Sequence, residues 1–276
     1  MKNLHVHCPA KVNLFLAVGP PDRRGYHPLR TIFQAVNLYD VLEVEFSSSA
    51  GFQPVSIEVI GAELPEDNTL TKTLRLSREI FKEQPSRIRL TKNIPMQSGL
   101  GGGSSDAAGL LRALNHDGRV PLEELEPVAA AVGADVPFFL HGGRARGERY
   151  GDRITPLPDG AEEWYVIVKP PIGCSTPEMF AALDAKPREW RDWPQGDELY
   201  NDFERVAPCE CLDLIERLRV LGACDAALSG SGSAVFGRFG TRDAAEMTRA
   251  ALNSAHNEVW VTSNLGRNES LRLDRS

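Results

Sequence analysis

One stretch constrains the fold of this chain more than any other. It is Pro95-Met-Gln-Ser-Gly-Leu-Gly-Gly-Gly-Ser-Ser105, and it runs straight into Asp106-Ala-Ala-Gly-Leu-Leu-Arg-Ala-Leu114. Gly99, Gly101, Gly102 and Gly103 allow positive φ and a close approach of backbone to a ligand. Ser104, Ser105 and Asp106 are residue types that favour a helix N-cap. Ala107, Leu110, Leu111 and Leu114 then follow the i, i+3, i+4, i+7 spacing of a helix that buries one face. The fold must therefore offer an apolar layer to that helix and leave its glycine-rich start free. Unpaired N–H groups and the positive end of the helix dipole make such a start a phosphate site. It is neither a Walker A loop, which ends in Lys-Ser/Thr, nor a G-x-G-x-x-G fingerprint, since Asp106 stands three residues after Gly103. A flexible, serine-capped loop is the alternative; three consecutive glycines before a well-formed helix weigh against it.

With 276 residues the chain has room for one large domain or two ordinary ones. Its 42% hydrophobic and 25% charged residues fit a soluble globular protein. No window approaches the roughly 18 consecutive apolar residues of a membrane helix. The segment Met-Lys-Asn-Leu-His-Val-His at the N-terminus lacks the apolar core of a signal peptide. A cytoplasmic protein with no membrane partner is the expectation. The net charge of −7 argues against a nucleic-acid partner, but not against a nucleotide substrate, whose affinity rests on a few local donors. Cys8, Cys174, Cys209, Cys211 and Cys224 form no CxxC pair and no disulfide framework. His5-x-His7 puts two imidazoles on one face of a strand, without a carboxylate or third histidine nearby, so no metal site is expected there. Oligomeric state is not encoded in any of these features.

Along the chain, Val12–Val18, Val44–Phe46 and Val55–Val59 alternate as strands, with a turn over 47–54. A helix is predicted over Thr69–Phe81, a short strand at Ile88 and Leu90, and a helix over Pro121–Val132 that Gly133 stops. Thr155-Pro-Leu-Pro-Asp-Gly160 is rich in turn formers and marks a domain boundary, giving units 1–158 and 159–276. Beyond it come a strand at Trp164–Val168, an irregular connection over Asp184–Gln195 and a helix carrying Cys211, Leu214, Ile215 and Leu218. Ser229-Gly-Ser-Gly-Ser233 then precedes a strand at Ala234–Phe239, and Met247, Ala250 and Ala251 mark a last helix. The result is an α+β chain of two mixed units with a glycine-rich loop in each.

Three segments resemble the three motifs of the GHMP kinases (galactokinase, homoserine kinase, mevalonate kinase, phosphomevalonate kinase), in that family's order. They are Pro9-Ala-Lys-Val-Asn-Leu-Phe-Leu16, the glycine loop, and Leu228-Ser-Gly-Ser-Gly-Ser-Ala-Val-Phe236. Arg24-Gly-Tyr-His27, Gly133-Ala-Asp-Val-Pro-Phe138 and Ser175-Thr-Pro-Glu-Met-Phe180 narrow the resemblance to the branch that phosphorylates a small cytidine-diphosphate-linked methylerythritol on its 2-hydroxyl. The resemblance implies a two-domain GHMP kinase fold with its active site in the interdomain cleft. It also implies ATP as co-substrate, ADP as product, and a place in non-mevalonate isoprenoid synthesis. Mg²⁺ is expected with ATP; no residue stands out as its ligand, Ser105 and Asp106 being the nearest candidates.

The resemblance gives the ATP phosphates to Pro95, Met96, Gln97, Ser98, Gly99, Leu100, Gly101, Gly102, Gly103, Ser104 and Ser105. By position, adenine contacts fall near Asn68 and Lys92, residues that otherwise read as turn and surface. Asp135 reads by itself as a helix-terminal turn aspartate. The family pattern makes it the general base, and apolar Val136, Pro137 and Phe138 beside it would raise its basicity by desolvation. Lys11 matches the first motif as the cation that keeps Asp135 ionised and steadies the attacking oxygen. Asn13, two residues on, shares its strand face and is assigned to the methylerythritol diphosphate. Tyr26 and Phe180 are implied as an aromatic clamp on cytosine, His27 as the reader of its edge, and Thr176 as a positioner of the cytidine or its diphosphate. Ser229–Ser233 either touches that diphosphate or is a turn required by packing. Two departures stand out: Gln97 and Ser98 occupy positions where related loops carry small residues, and Pro28 confines His27 to extended conformations.

Overall fold

The computed structural model describes residues 2–47, 55–186, 188–253 and 256–275, so the turn expected over 47–54 lies almost wholly outside the described residues. Two long strands, β1 (Lys2–Val18) and β2 (Leu29–Phe46), pair antiparallel along their whole length. In the first part of β1, Leu4, Val6 and Cys8 are buried while His5 and His7 are half-exposed; from Cys8 to Val18 every residue is buried. This is the transition from a strand covered on one face to one covered on both. Register shifts between Pro9 and Ala10 and between Asn13 and Phe15 bracket Lys11 and Asn13. Such bulges re-aim side chains locally.

The chain continues through β3 (Ser56–Ile60), α1 (Thr69–Ser77), β4 (Arg87–Thr91), α2 (Gly102–Leu114), α3 (Leu122–Val132), α4 (Val136–His141), β5 (Arg144–Glu148) and β6 (Arg153–Pro156). Then follow β7 (Trp164–Lys169), α5 (Thr176–Asp184), β8 (Tyr200–Asn201), a 3-10 turn at Asp202–Arg205, α6 (Cys209–Val220), β9 (Asp225–Leu228) and β10 (Val235–Phe239). The last elements are α7 (Arg242–Leu252), β11 (Glu258–Ser263), α8 (Arg267–Ser270) and β12 (Leu273–Arg275). One sheet runs β12-β1-β2-β4-β3, with β5 on β2, β6 on β5 and β8 beside β1; the other runs β11-β7-β10-β9 and is antiparallel throughout. This is an α+β architecture.

Helix α2 lies on the first sheet because its Ala107, Leu110, Leu111 and Leu114 are buried as their spacing predicts, against Leu4, Val6, Cys8, Leu42, Val44 and Leu90. A second core gathers Leu16 and Val18 from β1 with Val166 and Val168 of β7 and Leu214 and Leu218 of α6. Between them Ala10, Val12 and Leu14 meet Tyr165, Ile167 and Phe236. β1 thus feeds all three clusters, which fixes its middle residues between the two sheets.

Three local expectations are corrected. Helix α2 begins at Gly102 with Gly101 as its cap at φ 76°, so Ser104, Ser105 and Asp106 sit inside the first turns rather than capping them. Helix α1 stops at Ser77, short of Phe81. In α7 the period was right but the face was not: Ala245, Thr248 and Leu252 are buried, whereas Met247, Ala250 and Ala251 face outward.

Candidate active site

The buried β1 carries two polar side chains where apolar ones would be usual, and both are used. Lys11 Nζ donates to Asn13 Oδ1 at 2.6 Å and to the Gly99 carbonyl at 2.7 Å, and lies 3.5 Å from Asp135 Oδ2. Asn13 Nδ2 donates in turn to Thr31 Oγ1 at 2.8 Å, whose hydroxyl donates to the Phe15 carbonyl at 2.8 Å. This chain of bonds fixes the ammonium between strand, glycine loop and carboxylate. Burial falls on the lysine rather than on its partner: Lys11 is 3% exposed and Asp135 32%. Burial pulls the Lys11 pKa down, with Asp135 opposing that shift. Asp135 stands at the N-cap of α4 without a capping bond from its side chain, while Val136, Pro137 and Phe138 turn into the core. The desolvation that the sequence placed on Asp135 is therefore borne mainly by Lys11.

Two clefts meet beside Lys11. The larger, about 910 Å³, is lined by Lys11, Asn13, Asp135, Tyr26, His27, Thr176 and Phe180, every residue the sequence assigned to catalysis or acceptor binding. The smaller, about 400 Å³, lies above α2 and takes in Asn68, Lys92, Pro95 to Gly99 and Gly101 to Ser104. Leu100 and Ser105 of the same motif are buried beneath it. Gly99 and Gly101 line both clefts. A group passed from one cleft to the other would cross at these two glycines, beside Lys11.

Close approach explains why they are glycines. A Cβ on Gly99, at φ 75°, would stand 2.0 Å from the Ser229 carbonyl oxygen, and one on Gly101 would meet Phe139 at 2.9 Å. The third motif presses on the loop directly: Ser229 Oγ donates to the Gly99 carbonyl at 3.1 Å and Ala234 N to the Ser98 carbonyl at 3.0 Å. Of the first departure, Ser98 stiffens the loop by donating to the Pro95 carbonyl at 2.6 Å, and Gln97 takes a left-handed φ of 52°. Gly230 and Ser231 also line the larger cleft, and Ser231 Oγ shares a 2.8 Å hydrogen bond with Thr176 Oγ1, so the segment both buttresses the loop and faces the acceptor side.

The structure gives Asn68 and Lys92 work that the sequence did not suggest. Asn68 is the N-cap of α1, accepting from the N–H groups of Leu70 and Thr71, and its Nδ2 donates to the Pro65 carbonyl. Lys92 is buried, not a surface residue, and pairs with both Asp40 and Asp106 under the first turn of α2. Asp40 is held by the N–H groups of Asn93 and Ile94 as well. Burial works against the Lys92 charge, but Asp106 and Asp40 outweigh it and its pKa rises. Two carboxylates on one buried ammonium leave an excess negative charge. Burial and Asp40 push Asp106 up to about 8.

On the acceptor side His27 is brought to Phe180, with ring centroids 4.9 Å apart and planes at 22°. Its two ring nitrogens already face protein acceptors: Nδ1 lies 2.9 Å from the Gly19 carbonyl and Nε2 3.2 Å from Asp184. Tyr26 is 60% exposed, and its ring neighbour is Tyr150 rather than Phe180. Tyr150 and Asp184 line the same cleft and were not singled out in the sequence, where neither belongs to a recognisable motif.

Comparison with known proteins gives the family of the chain. Residues 68–143 match the GHMP kinases N terminal domain and residues 205–258 the GHMP kinases C terminal domain. The chain is 36% identical over 266 residues to a 4-diphosphocytidyl-2-C-methyl-D-erythritol kinase of Solibacter usitatus, covering 88% of this chain and 83% of that one. It is 34% identical to the enzyme so named from Desulfitobacterium hafniense, covering 94% of each. A crystal structure of 4-(cytidine 5'-diphospho)-2C-methyl-D-erythritol kinase superimposes with a TM-score of 0.80 at 32% identity, over 95% of this chain and 99% of that one. A homoserine kinase from Cytophaga hutchinsonii shares the fold at 21% identity and a TM-score of 0.70. By motif order, by fold and by identity along nearly its whole length, the chain belongs to the 4-diphosphocytidyl-2-C-methyl-D-erythritol kinase family of the GHMP kinases.

Proposed function

We propose that the protein transfers the γ-phosphoryl group of ATP to the 2-hydroxyl of 4-diphosphocytidyl-2-C-methyl-D-erythritol and releases ADP. The observation that carries this reading is Lys11 and Asp135, 3.5 Å apart in the larger cleft, with Lys11 bonded to Gly99, one of the two glycines that this cleft shares with the cleft above the phosphate loop. Phosphoryl transfer asks a protein for positioning and charge stabilisation. The N–H groups at the start of α2 cradle the phosphates above Gly101–Ser104. Asp135 accepts the proton of the hydroxyl as its oxygen bonds to phosphorus and the bond to the bridging oxygen of ADP breaks. Lys11, desolvated and fixed by Asn13 and Gly99, stabilises the charge that builds between attacking oxygen and γ-phosphate. Tyr26, His27, Phe180 and Thr176 hold the cytidine end, and Asn13 the methylerythritol diphosphate. Residues 1–158 form the nucleotide-binding unit and 159–276 the unit that completes the acceptor pocket.

Magnesium has no protein cage among the described residues. Among the described residues no group of three or more His, Cys, Asp or Glu could hold an ion, and Asp106 is engaged by Lys92. It would arrive with the nucleotide, held by phosphate oxygens and water, as Mg²⁺ commonly is. No described helix is long and apolar enough to cross a membrane. A cytoplasmic setting, where ATP is at hand, belongs to this reading. The test is ADP release with Mg²⁺-ATP across three acceptors: the cytidyl compound, mevalonate and homoserine. Turnover of the cytidyl compound alone is the expected result; turnover of another acceptor refutes the assignment of the pocket, and silence on all three with ATP bound refutes catalysis.

A further inference from the structure

The turn that carries Tyr26 and His27 stands out from the body of the protein and yet is closed on itself. Asp22 N donates to the Tyr26 carbonyl at 2.7 Å and Gly25 N to the Asp22 carbonyl at 2.9 Å. Asp22 Oδ1 accepts from the N–H groups of Arg24 and Tyr26, at 2.8 and 3.0 Å. The other carboxylate oxygen reaches across to a different element: Tyr150 Oη donates to Asp22 Oδ2 at 2.6 Å, and Arg24 Nη2 donates to Tyr150 Oη. The Tyr150 ring lies 5.6 Å from that of Tyr26 at 58°, and the Arg24 guanidinium stands 5.6 and 5.5 Å from the two rings. Tyr150 follows β5 in the turn to β6, where Asp152 Oδ1 accepts from its N–H at 3.2 Å. Tyr150, Asp152 and Asp135 face the same cleft.

We propose that Tyr150 is a specificity-determining residue of the acceptor site: its ring is a wall of the base pocket beside Tyr26, and its bond to Asp22 fixes the turn that presents Tyr26 and His27. This rests on the cytidyl acceptor assigned above. An exposed tyrosine on a short turn samples several orientations, and a flat base stacking on it must immobilise it. A turn already pinned at Asp22 removes that cost from binding. The ring of Tyr150 adds a second π-face, its centroid 5.6 Å from that of Tyr26 and so within the range over which aromatic groups attract. Hydrogen bonds from Tyr150 and from the Tyr26 and Arg24 N–H groups hold Asp22 well below the usual carboxylate range. Asp22 is therefore held as an ionised acceptor for the Tyr150 hydroxyl.

Three variants and two ligands test this. Tyr150→Phe keeps the ring and loses the pin, Tyr150→Leu loses both, and Asp22→Asn in the Tyr150→Phe background asks whether the two groups act as one. The readouts are KM for the cytidyl acceptor, KM for ATP, kcat, calorimetric Kd for cytidine 5'-diphosphate and the unfolding midpoint. Immobilising one side chain corresponds to about a fivefold change in affinity, and losing a ring contact as well to about thirtyfold. Tyr150→Phe should raise the acceptor KM and the cytidine diphosphate Kd about fivefold and Tyr150→Leu about thirtyfold, with kcat, ATP KM and unfolding midpoint close to wild type. Adding Asp22→Asn to Tyr150→Phe should cost less than about twofold further, because the exposed Arg24–Asp22 pair contributes little and the amide oxygen still accepts from the turn N–H groups. An unchanged KM in Tyr150→Phe, or a fall in kcat and midpoint with KM intact, overturns the proposal while leaving the cytidyl acceptor standing. Wild-type protein that neither phosphorylates the cytidyl compound nor binds cytidine diphosphate overturns both.

Discussion

Gly99→Ala is the substitution whose outcome the structure specifies most closely. The added Cβ would lie 2.0 Å from the Ser229 carbonyl oxygen, 2.9 Å from its carbon and 3.1 Å from Gly232 N, all backbone atoms that cannot rotate away. Relief to 3.0 Å, the shortest separation real Cβ atoms tolerate, requires the glycine loop and the 229–233 segment to part by about 1 Å. The Gly99 carbonyl, which accepts from Lys11 Nζ and Ser229 Oγ, moves with the loop. Misplacing a reacting group by about 1 Å costs on the order of 100-fold in rate. To this are added about 1–2 kcal/mol for a side chain in the left-handed region and about 1–3 kcal/mol for overpacking. For a protein of this size that predicts a midpoint lower by roughly 5–15 °C. Gly118→Ala is the control: Gly118 has φ 68° but nothing within 4 Å of its added Cβ. It should lose about 1 kcal/mol and keep its kcat. Coupled-enzyme assay of ADP release and thermal unfolding on both variants decide the matter. A Gly99→Ala protein with kcat within threefold of wild type and the midpoint of Gly118→Ala would show that the two loops do not need each other.

Two further outcomes follow from the groups around the phosphate loop. Asp135→Asn, isosteric and unable to take a proton, should lower kcat by about 10²–10⁴-fold while nucleotide and acceptor Kd values measured by calorimetry stay put. Asp106 rises from its usual 3.8 to about 8 on folding, so between those values the folded protein holds a proton the unfolded chain has lost. Stability should accordingly fall as pH climbs through that window, by at most about 1.4 kcal/mol per pH unit; urea titrations from pH 5 to 9 should show the slope in wild type and a flatter line in Asp106→Asn.

What could be read from sequence was whatever local chemistry forces. The glycine run and the apolar spacing of Ala107, Leu110, Leu111 and Leu114 specify loop and buried helix without reference to the rest of the fold. Lys11 and Asn13 were legible as a pair because a strand puts alternate residues on one face. Contacts between distant segments were not. Nothing in the sequence around Lys92 announces that Asp40, on β2, and Asp106, on α2, will close on it, so it read as a surface lysine. Tyr150 likewise lies 128 positions from Asp22, and only the pairing of β5 with β2 brings its turn near. The outward face of α7 misled for a related reason: Met247, Ala250 and Ala251 are apolar, but Thr248 is the residue buried, where its hydroxyl donates to the Leu221 carbonyl at 3.1 Å.

The way β1 runs through all three apolar clusters bears on how such a protein can change by exchange of segments. Its beginning pairs with β12, near residue 275, and its end packs on β7 and α6. Leu265 returns from beyond the second sheet to the core of the first, and the 229–233 segment holds the loop at Gly99. A chimaera joining the first 158 residues of one relative to the remainder of another would thus splice together not one seam but several. It would mate foreign partners across β1 and β12, at both ends of the shared strand, and at the point where the two loops touch. Residue sets at those places must travel together, so inheritance in this fold is tied to pairs of distant segments rather than to halves.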